Sequence, residues 1–180
     1  ISKCAKKLKK LHYSNIVCDD CGSFESKIKK YEDAIAQNLP NSVCRSAFKF
    51  IYELVARDKH QVFCHNDLNL SNIMYSDDIF FIDWDYAGFN HPYFDLALLF
   101  NAMNLTSNEE YNFLSIYADQ ENNFDHELLK EYKKMSLYVE YLWIVATSSQ
   151  ENPKYATRFD ELSTLCLLYT SPSPRDDELS

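Results

Sequence analysis

Apolar residues recur at intervals of three and four along most of the chain, in stretches separated by polar segments. This spacing predicts helices through Leu11 at the start, over Phe24–Asn38, from Asn41 or Ser42 past Leu54, from Leu96 to Met103, from Ser107 to Tyr117 and from Asp125 to Gln150. The last of these is the longest. Its apolar stripe from Leu128 to Ala146 alternates steps of four and three, which predicts one buried face along its whole length.

Two short apolar runs interrupt the helical pattern, at Ile73–Tyr75 and Ile79–Ile82. We interpret them as a β-hairpin. A two-residue turn at Asp77-Asp78 sets a register in which Asn72 faces Asp83. In that register an amide and a carboxylate meet at one end of the hairpin, with their Cβ atoms roughly 5 Å apart.

Composition and charge exclude several classes of protein. The chain has 180 residues, of which 46% are hydrophobic, enough for the core of one domain. A formal net charge of −9 leaves no basic stripe, which argues against a nucleic-acid partner. No apolar run is long enough for a membrane span and no signal peptide is visible, so we expect a cytoplasmic protein without a membrane partner.

The cysteines are expected to be reduced. Six cysteines in a cytoplasmic chain of this composition do not suggest a disulfide framework. Cys18 and Cys21 have the spacing of a metal or redox pair, but no second pair completes a set of four metal ligands. The lysine pairs near the start of the chain are interpreted as a solvated helix face, with phosphate binding as the alternative.

Three oxygen-bearing side chains have a spacing that phosphoryl transfer can use. Asp67 precedes Asn72 by five residues, and Asp83 follows the second strand of the predicted hairpin. A hydroxyl nucleophile needs a carboxylate to accept its proton, and nucleotide phosphates need hard cations held by carboxylate and amide oxygens. The same order of Asp, Asn and strand-terminal Asp occurs in the catalytic and metal-binding loops of protein kinases.

Longer motifs extend this pattern. His65-Asn66-Asp67 with Asn72, the run Ile82-Asp83-Trp84-Asp85-Tyr86-Ala87-Gly88, and Phe94-Asp95-Leu96-Ala97 together resemble the choline/ethanolamine kinase family. That family belongs to the kinase-like small-molecule phosphotransferases, with the aminoglycoside and thiamine kinases. The resemblance implies an α+β, mostly helical fold, the C-terminal lobe of a protein-kinase-like fold, in which a small β-hairpin carries the catalytic and metal-binding loops.

The resemblance also implies roles for the motif residues. Asp67 is expected to be the catalytic base, and Asn72 and Asp83 the ligands of Mg²⁺, with ATP as co-substrate. His65, inside the catalytic motif, and Asp95 are expected to support the backbone of the catalytic loop. Asp95 has an alternative role as the N-cap of the helix that follows it.

The implied acceptor is a small cationic alcohol, choline or ethanolamine. Aromatic faces and carboxylates would hold its ammonium group. The candidate contacts are Trp84, Asp85 and Tyr86, with Glu140 and Trp143 on the long helix. For Trp143, core packing is an equal alternative. Where the family has a second tryptophan and a frequent glutamate, this chain has Ala146 and Ala102. These departures leave thiamine, an aminoglycoside or another sugar alcohol open as acceptors.

The segments at the two ends of the chain complete the predicted organisation. No glycine-rich phosphate loop and no strand-borne lysine are seen in the sequence, so we expect residues 1–164 to be a C-terminal lobe whose N-terminal nucleotide lobe belongs to a longer protein. Residues 165–180 change to a Ser/Pro-rich composition and are expected to be disordered or foreign. An alternative hypothesis, from a different functional class, is that the chain is an inactive, truncated lobe that only binds a ligand or partner.

Overall fold

The computed structural model describes residues 1–18, 21–37, 41–118 and 124–170. Within them the helices are α1 (Ser2–His12), α2 (Phe24–Ala36), α3 (Ser42–Arg57), α4 (Pro92–Met103), α5 (Ser107–Tyr117), α6 (His126–Ala146) and α7 (Pro153–Thr170). The strands are β1 (Val62–Cys64), β2 (Ile73–Tyr75), β3 (Ile79–Phe81) and β4 (Gly88–Asn90), and short 3-10 turns occupy Leu70–Asn72 and Ser149–Glu151. The prediction of a mostly helical α+β fold is confirmed. Across the described helices, none combines the length and the apolarity that a bilayer span requires.

Polar residues cap the starts of α3 and α5. α3 begins after Asn41, which is one of the two predicted caps. Its Oδ1 accepts a hydrogen bond from the N–H of Cys44 at 2.8 Å. α5 is capped by Thr106 and not by Ser107, which is a correction. The reason is a capping box, in which the Glu109 carboxylate accepts the N–H of Thr106 at 2.9 Å while the Thr106 hydroxyl accepts the N–H of Glu109.

The C-terminal ends of α2 and α7 can be compared with the predicted ends. α2 ends at Ala36, and its predicted stop near Pro40 lies outside the described residues. α7 continues to Thr170, so the expected disorder is wrong for residues 165–170. Leu162 and Cys166, four positions apart, are both fully buried, so the apolar stripe of α7 crosses the expected boundary. The rest of the expected tail, 171–180, lies outside the described residues.

The chain divides into two compact units. The first consists of Ile1–Phe24 and Arg57–Ser136, and the second of Glu25–Ala56 and Leu137–Ser180. All four strands described here belong to the first unit, whose core includes Leu8, Leu68, Leu96, Leu99, Phe100 and Phe113. The buried residues of the second unit include Ile28, Ile51, Leu54, Leu142 and Leu162.

The β2–β3 hairpin is present, but its predicted register is wrong by one residue. Ile73 lies opposite Phe81, so Asn72 lies opposite Ile82, not Asp83, and the Asn72 carbonyl oxygen accepts the N–H of Ile82 at 3.0 Å. A favoured two-residue turn needs positive φ at one or both central residues, which is costly for residues with a Cβ. Residues 76–78 form a three-residue turn instead, and none of them has positive φ.

A second antiparallel pair, not predicted from the sequence, joins β1 to β4. Cys64 lies opposite Gly88 and Val62 opposite Asn90. A glycine is required at position 88, because a Cβ there would lie 2.7 Å from the carbonyl oxygen of Gly22. The pair fixes both ends of the segment that carries the predicted catalytic and metal-binding residues.

Cys18 and Cys21 are joined by a disulfide, with their Cα atoms 5.5 Å apart. The expectation of reduced cysteines is therefore wrong for this pair. The physical reason is that a Cα–Cα distance of 5.5 Å lies within the range that a disulfide can bridge. Cys4, Cys44 and Cys64 are buried thiols.

His91 caps α4. Its Nδ1 accepts the N–H of Tyr93 at 3.0 Å, so Nε2 carries the hydrogen and faces Asp58 Oδ2 at 3.2 Å. Asp95 lies inside α4, so its alternative role as the cap is excluded. The His91 ring is 8% exposed and stacks on Tyr132. Burial lowers the pKa of His91 to about 4 against the opposing effect of Asp58, so the folded state holds this histidine neutral.

We expect the free energy of unfolding to fall as the pH is lowered from about 6.5 towards about 4, because unfolded His91 binds a proton that the folded state excludes. His91→Asn keeps a cap acceptor but does not titrate. Its loss of stability over this pH range should be smaller than that of the unsubstituted chain by on the order of 3 kcal/mol. Urea denaturation followed by circular dichroism measures both proteins, and equal losses would contradict the prediction.

Candidate active site

The loop between β1 and β2 brings Asp67 and Asn72 together. Asn72 Nδ2 donates hydrogen bonds to the Oδ2 atom of Asp67 at 2.8 Å and to its carbonyl oxygen at 2.8 Å. Both hydrogens of this amide are thereby used. Within the described residues, Asn72 Oδ1 has only a long contact, 3.5 Å from the Ser71 hydroxyl. The arrangement orients the Asp67 carboxylate and leaves an amide oxygen to bind a cation.

Backbone hydrogen bonds make this loop compact. The N–H of Asn69 donates to the Asp67 carbonyl at 2.9 Å, and the N–H of Asn72 donates to the Asn69 carbonyl at 3.1 Å. Asn69 also caps the 3-10 turn, since its Oδ1 accepts the N–H of Ser71 at 2.9 Å. Leu68 is fully buried and anchors the loop in the core. Hydrogen bonds between neighbouring polar residues of the loop, together with the buried side chain of Leu68, therefore set the distance between Asp67 and Asn72.

Asp83 lies one residue beyond the hairpin pair Asn72–Ile82. Its φ is 63°, which turns the chain away from β3, and its side chain is exposed. His65 Nε2 lies 2.9 Å from the Ile82 carbonyl oxygen, an acceptor, so Nε2 carries the hydrogen and donates it. This bond ties the loop of Asp67 to the segment of Asp83.

The Asp95 carboxylate holds the start of the loop that carries Asp67. It is fully buried; Oδ2 accepts the N–H of His65 at 2.7 Å and Oδ1 accepts the N–H of Asn66 at 2.7 Å. Asn66, the residue immediately before Asp67, has a φ of 62°. His12 Nε2 lies 3.1 Å from Asp95 Oδ2, a contact that the sequence did not predict.

Asn66 is a second residue that sequence reasoning missed. Its Nδ2 donates to the carbonyl oxygens of Tyr86 and Gly88, both at 3.2 Å, and its Oδ1 accepts from Asn90 Nδ2 at 2.9 Å. The side chain thus joins the loop of Asp67 to the segment between Asp83 and β4. The sequence does contain a signal for this role, the asparagine inside the motif. Asparagine tolerates positive φ better than most residues, so it indicates a turn in the backbone at that position.

The acceptor candidates next to Asp83 are surface residues. Trp84 and Tyr86 are 41% and 37% exposed, and Asp85 is exposed as well. Trp84 Nε1 donates to the Phe81 carbonyl at 3.0 Å. The centroid of its ring lies 4.6 Å from that of His65 and 6.4 Å from that of Phe63, so the indole is held while part of it stays exposed. Asp85 forms no ion pair with any residue that the structure describes.

The other two acceptor candidates belong to the second unit. Glu140 binds Arg158 through both carboxylate oxygens, at 2.8 Å and 2.7 Å. Trp143 packs edge to face against Tyr155, with ring centroids 5.3 Å apart. Both side chains therefore have partners within their own unit, and their role in ligand binding stays a prediction.

The donor set in the first unit fits a magnesium ion. Mg²⁺ prefers carboxylate and amide oxygens and keeps several waters. Asn72 Oδ1 and the exposed Asp83 carboxylate are such oxygens, carried by neighbouring ends of one hairpin. These two residues would hold the ion.

The structure combines a loop in which Asp67 and Asn72 are paired, a hairpin, and Asp83 after its second strand, all set among helices. These are the features of a partial kinase-like lobe. The chain belongs to the phosphotransferase enzyme family, whose model matches residues 19–132.

Individual relatives agree with this assignment. Protein LicA of Haemophilus influenzae is 28% identical over 157 residues, which are 79% of this chain and 46% of that protein. Ethanolamine kinase 1 of Mus musculus is 36% identical over 83 residues, 44% of this chain and 21% of that protein. The crystal structure of choline kinase LicA from Streptococcus pneumoniae matches with a TM-score of 0.74 at 29% identity, covering 93% of this chain and 63% of that one. The predicted resemblance and the kinase-like fold are confirmed, and the chain spans about half the length of the Haemophilus relative.

Proposed function

We propose that the protein carrying this chain transfers the γ-phosphate of ATP to the hydroxyl group of choline or ethanolamine. The observation that carries the proposal is the hydrogen bond from Asn72 Nδ2 to the Asp67 carboxylate, beside Asp83 at the end of the hairpin. The similarity to an ethanolamine kinase and to a choline kinase of known structure supports this acceptor class. Because the relatives are longer than this chain, the activity experiments use the complete protein that the gene encodes.

In the proposed reaction, Asp67 accepts the proton of the acceptor hydroxyl. The hydroxyl oxygen forms a bond to the γ-phosphorus, the bond from that phosphorus to the β,γ-bridging oxygen breaks, and ADP leaves. The bond from Asn72 holds Asp67 Oδ2 in a fixed orientation, so little reorganisation is needed when the substrate binds. Asp67 would thus align the nucleophile and take up its proton.

Asn72 Oδ1 and the Asp83 carboxylate would hold Mg²⁺. When bound, the ion would neutralise negative charge on the phosphates of ATP. The chain contributes the orientation of the two ligands. Asn72 Oδ1 is directed by the two bonds that its Nδ2 makes to Asp67, and Asp83 by the bond between His65 and the Ile82 carbonyl.

Trp84, Asp85 and Tyr86 would bind the ammonium end of the acceptor. An exposed indole and phenol offer aromatic faces to a cation, and Asp85 adds a negative charge. Asp85 is favoured over Glu140 for this role, because the Glu140 carboxylate already binds Arg158 through two hydrogen bonds.

Asp67→Asn in the complete protein should lower kcat by about 10²-fold to 10⁴-fold, because the amide cannot accept the hydroxyl proton. Circular dichroism should be unchanged. Asp77→Asn is the matched control, since Asp77 is an exposed carboxylate at the turn of the hairpin, at the end away from Asn72. A coupled assay of ADP formation measures both variants, and near-normal turnover by Asp67→Asn would exclude it as the base.

Asp83→Asn should weaken the binding of ATP in the presence of magnesium by about 10-fold or more, because a charged metal ligand becomes neutral. Asparagine tolerates the positive φ at this position, so the backbone is preserved. Calorimetric titration with ATP, with and without magnesium, measures the effect. If the variant keeps the full magnesium dependence of the unsubstituted protein, Asp83 is not a ligand of the ion.

Asp85→Asn should raise the KM for choline or ethanolamine by about 10-fold, the loss expected from one charged contact, with kcat and the KM for ATP little changed. The same measurement on Glu140→Gln compares the two acidic candidates. A larger rise for Glu140→Gln would reassign the acceptor site.

The acceptor itself is tested by kcat/KM for choline, ethanolamine, thiamine and an aminoglycoside. We expect choline or ethanolamine to give the highest value. A higher value for thiamine or the aminoglycoside keeps the chemistry and corrects the acceptor. Binding of ATP and choline without phosphate transfer would instead support the binding-module hypothesis.

A further inference from the structure

Three helices of the first unit bring polar side chains to one buried point. His12 at the end of α1, Tyr117 at the end of α5 and Asp95 in α4 are 3%, 3% and 0% exposed. His12 Nδ1 lies 2.7 Å from the Tyr117 hydroxyl, and His12 Nε2 lies 3.1 Å from Asp95 Oδ2. The imidazole therefore bridges a phenol and a carboxylate, neither of which is in contact with bulk water.

The direction of these hydrogen bonds follows from the partners. An ionised carboxylate only accepts, so His12 Nε2 carries a hydrogen and donates it to Asp95. Burial, with smaller effects from the charges of neighbouring groups including Asp95, raises the pKa of Tyr117 far above its usual range. Tyr117 thus keeps its proton and can donate it to Nδ1. The chain of donors runs from Tyr117 through His12 to Asp95.

A metal site at this point is not supported. His12, Cys64 and Asp95 lie close enough together to be considered as ligands. However, Asp95 already accepts hydrogen bonds on both oxygens, and burial raises the pKa of the Cys64 thiol well above its usual value. Cys64 Sγ remains protonated and faces the Asn90 carbonyl oxygen at 3.4 Å. The cluster is a hydrogen-bond network.

The Asp95 carboxylate links this network to the catalytic loop. The oxygen that accepts from His12, Oδ2, also accepts the N–H of His65, and Oδ1 accepts the N–H of Asn66. Loss of the donor on His12 would leave Oδ2 with one hydrogen bond instead of two, so the buried carboxylate would be held less firmly against the two loop amides. After His65 the backbone continues through Asn66, which has positive φ, to Asp67.

We propose that His12 is a positioning residue for phosphoryl transfer, which acts through Asp95 to fix the backbone at His65 and Asn66 and so the place of Asp67. The inference rests on the proposed function for its catalytic consequence. Its structural part, the control of the loop amides by His12, is independent of activity. The spacing within the motif could not reveal it, because His12 precedes Asp67 by 55 positions in the chain.

The first experiment measures amide hydrogen exchange by NMR on this chain, at His65, at Asn66 and at Leu99, a fully buried residue of the same unit. In His12→Leu, exchange at His65 and Asn66 should rise by at least about 10-fold relative to Leu99, because the carboxylate that protects them loses a donor. His12→Gln should restore protection, since its amide nitrogen reaches about as far as Nε2 and can donate. Tyr117→Phe should show a smaller rise.

Leu8→Ala is the matched control, because Leu8 is fully buried in α1. It should raise exchange at all three amides by a similar factor, as general destabilisation does. If His12→Leu behaves in the same way as Leu8→Ala, or if His12→Gln fails to restore protection, His12 is only a packing residue and the inference is overturned.

The second experiment measures kinetics in the complete protein. His12→Leu should lower kcat by on the order of 100-fold, the effect of a small misplacement of a catalytic group, with the KM values for ATP and choline near those of the unsubstituted protein. His12→Gln should recover most of the turnover. A rise in KM with unchanged kcat overturns the positioning role. If the unsubstituted protein transfers no phosphate, the proposed function fails, while the exchange experiment still decides whether His12 controls the loop.

Discussion

The first unit depends on one buried charge. Asp95 has no exposed surface, and a carboxylate in such a place costs several kcal/mol unless hydrogen-bond donors surround it. Those donors are the backbone N–H groups of His65 and Asn66, each at 2.7 Å, and the imidazole of His12. The loop that carries Asp67 cannot move away without leaving the carboxylate unsatisfied. The stability of the core and the position of the loop therefore depend on the same three bonds.

The β2–β3 hairpin imposes a second constraint through its register. Side chains alternate between the two faces of a strand, so a slip of one residue would move each of them to the opposite face. Ile79 and Phe81 are buried, whereas Met74 and Phe80, which lie opposite each other, are 54% and 50% exposed. Burial of one apolar face thus fixes which residue lies opposite Asn72.

Local patterns in the sequence predicted the local structure well. The longest helix was expected at Asp125–Gln150 and is observed at His126–Ala146, because its apolar spacing is continuous. The family motifs led directly to the loop in which Asp67 and Asn72 meet. The β1–β4 pair could not be predicted, because its two short strands are separated by the whole segment 65–87, whereas β2 and β3 are joined by a short turn. The contact of His12 with Asp95 joins residues 83 positions apart, which no periodicity encodes.

Backbone geometry explains why this site needs so much support. Asn66 and Asp83 both have positive φ, at 62° and 63°, a conformation that costs a residue with a Cβ about 1 kcal/mol or more. One of these residues directly precedes Asp67, and the other is itself a proposed ligand. Asn66 is held by its own side chain and by Asp95, and Asp83 through the bond of His65 to the preceding carbonyl. Strained backbone persists where surrounding contacts over-determine it. On the proposed function, these contacts fix the reacting groups before the substrates bind, so the folding energy of the core supplies part of the order that phosphoryl transfer requires.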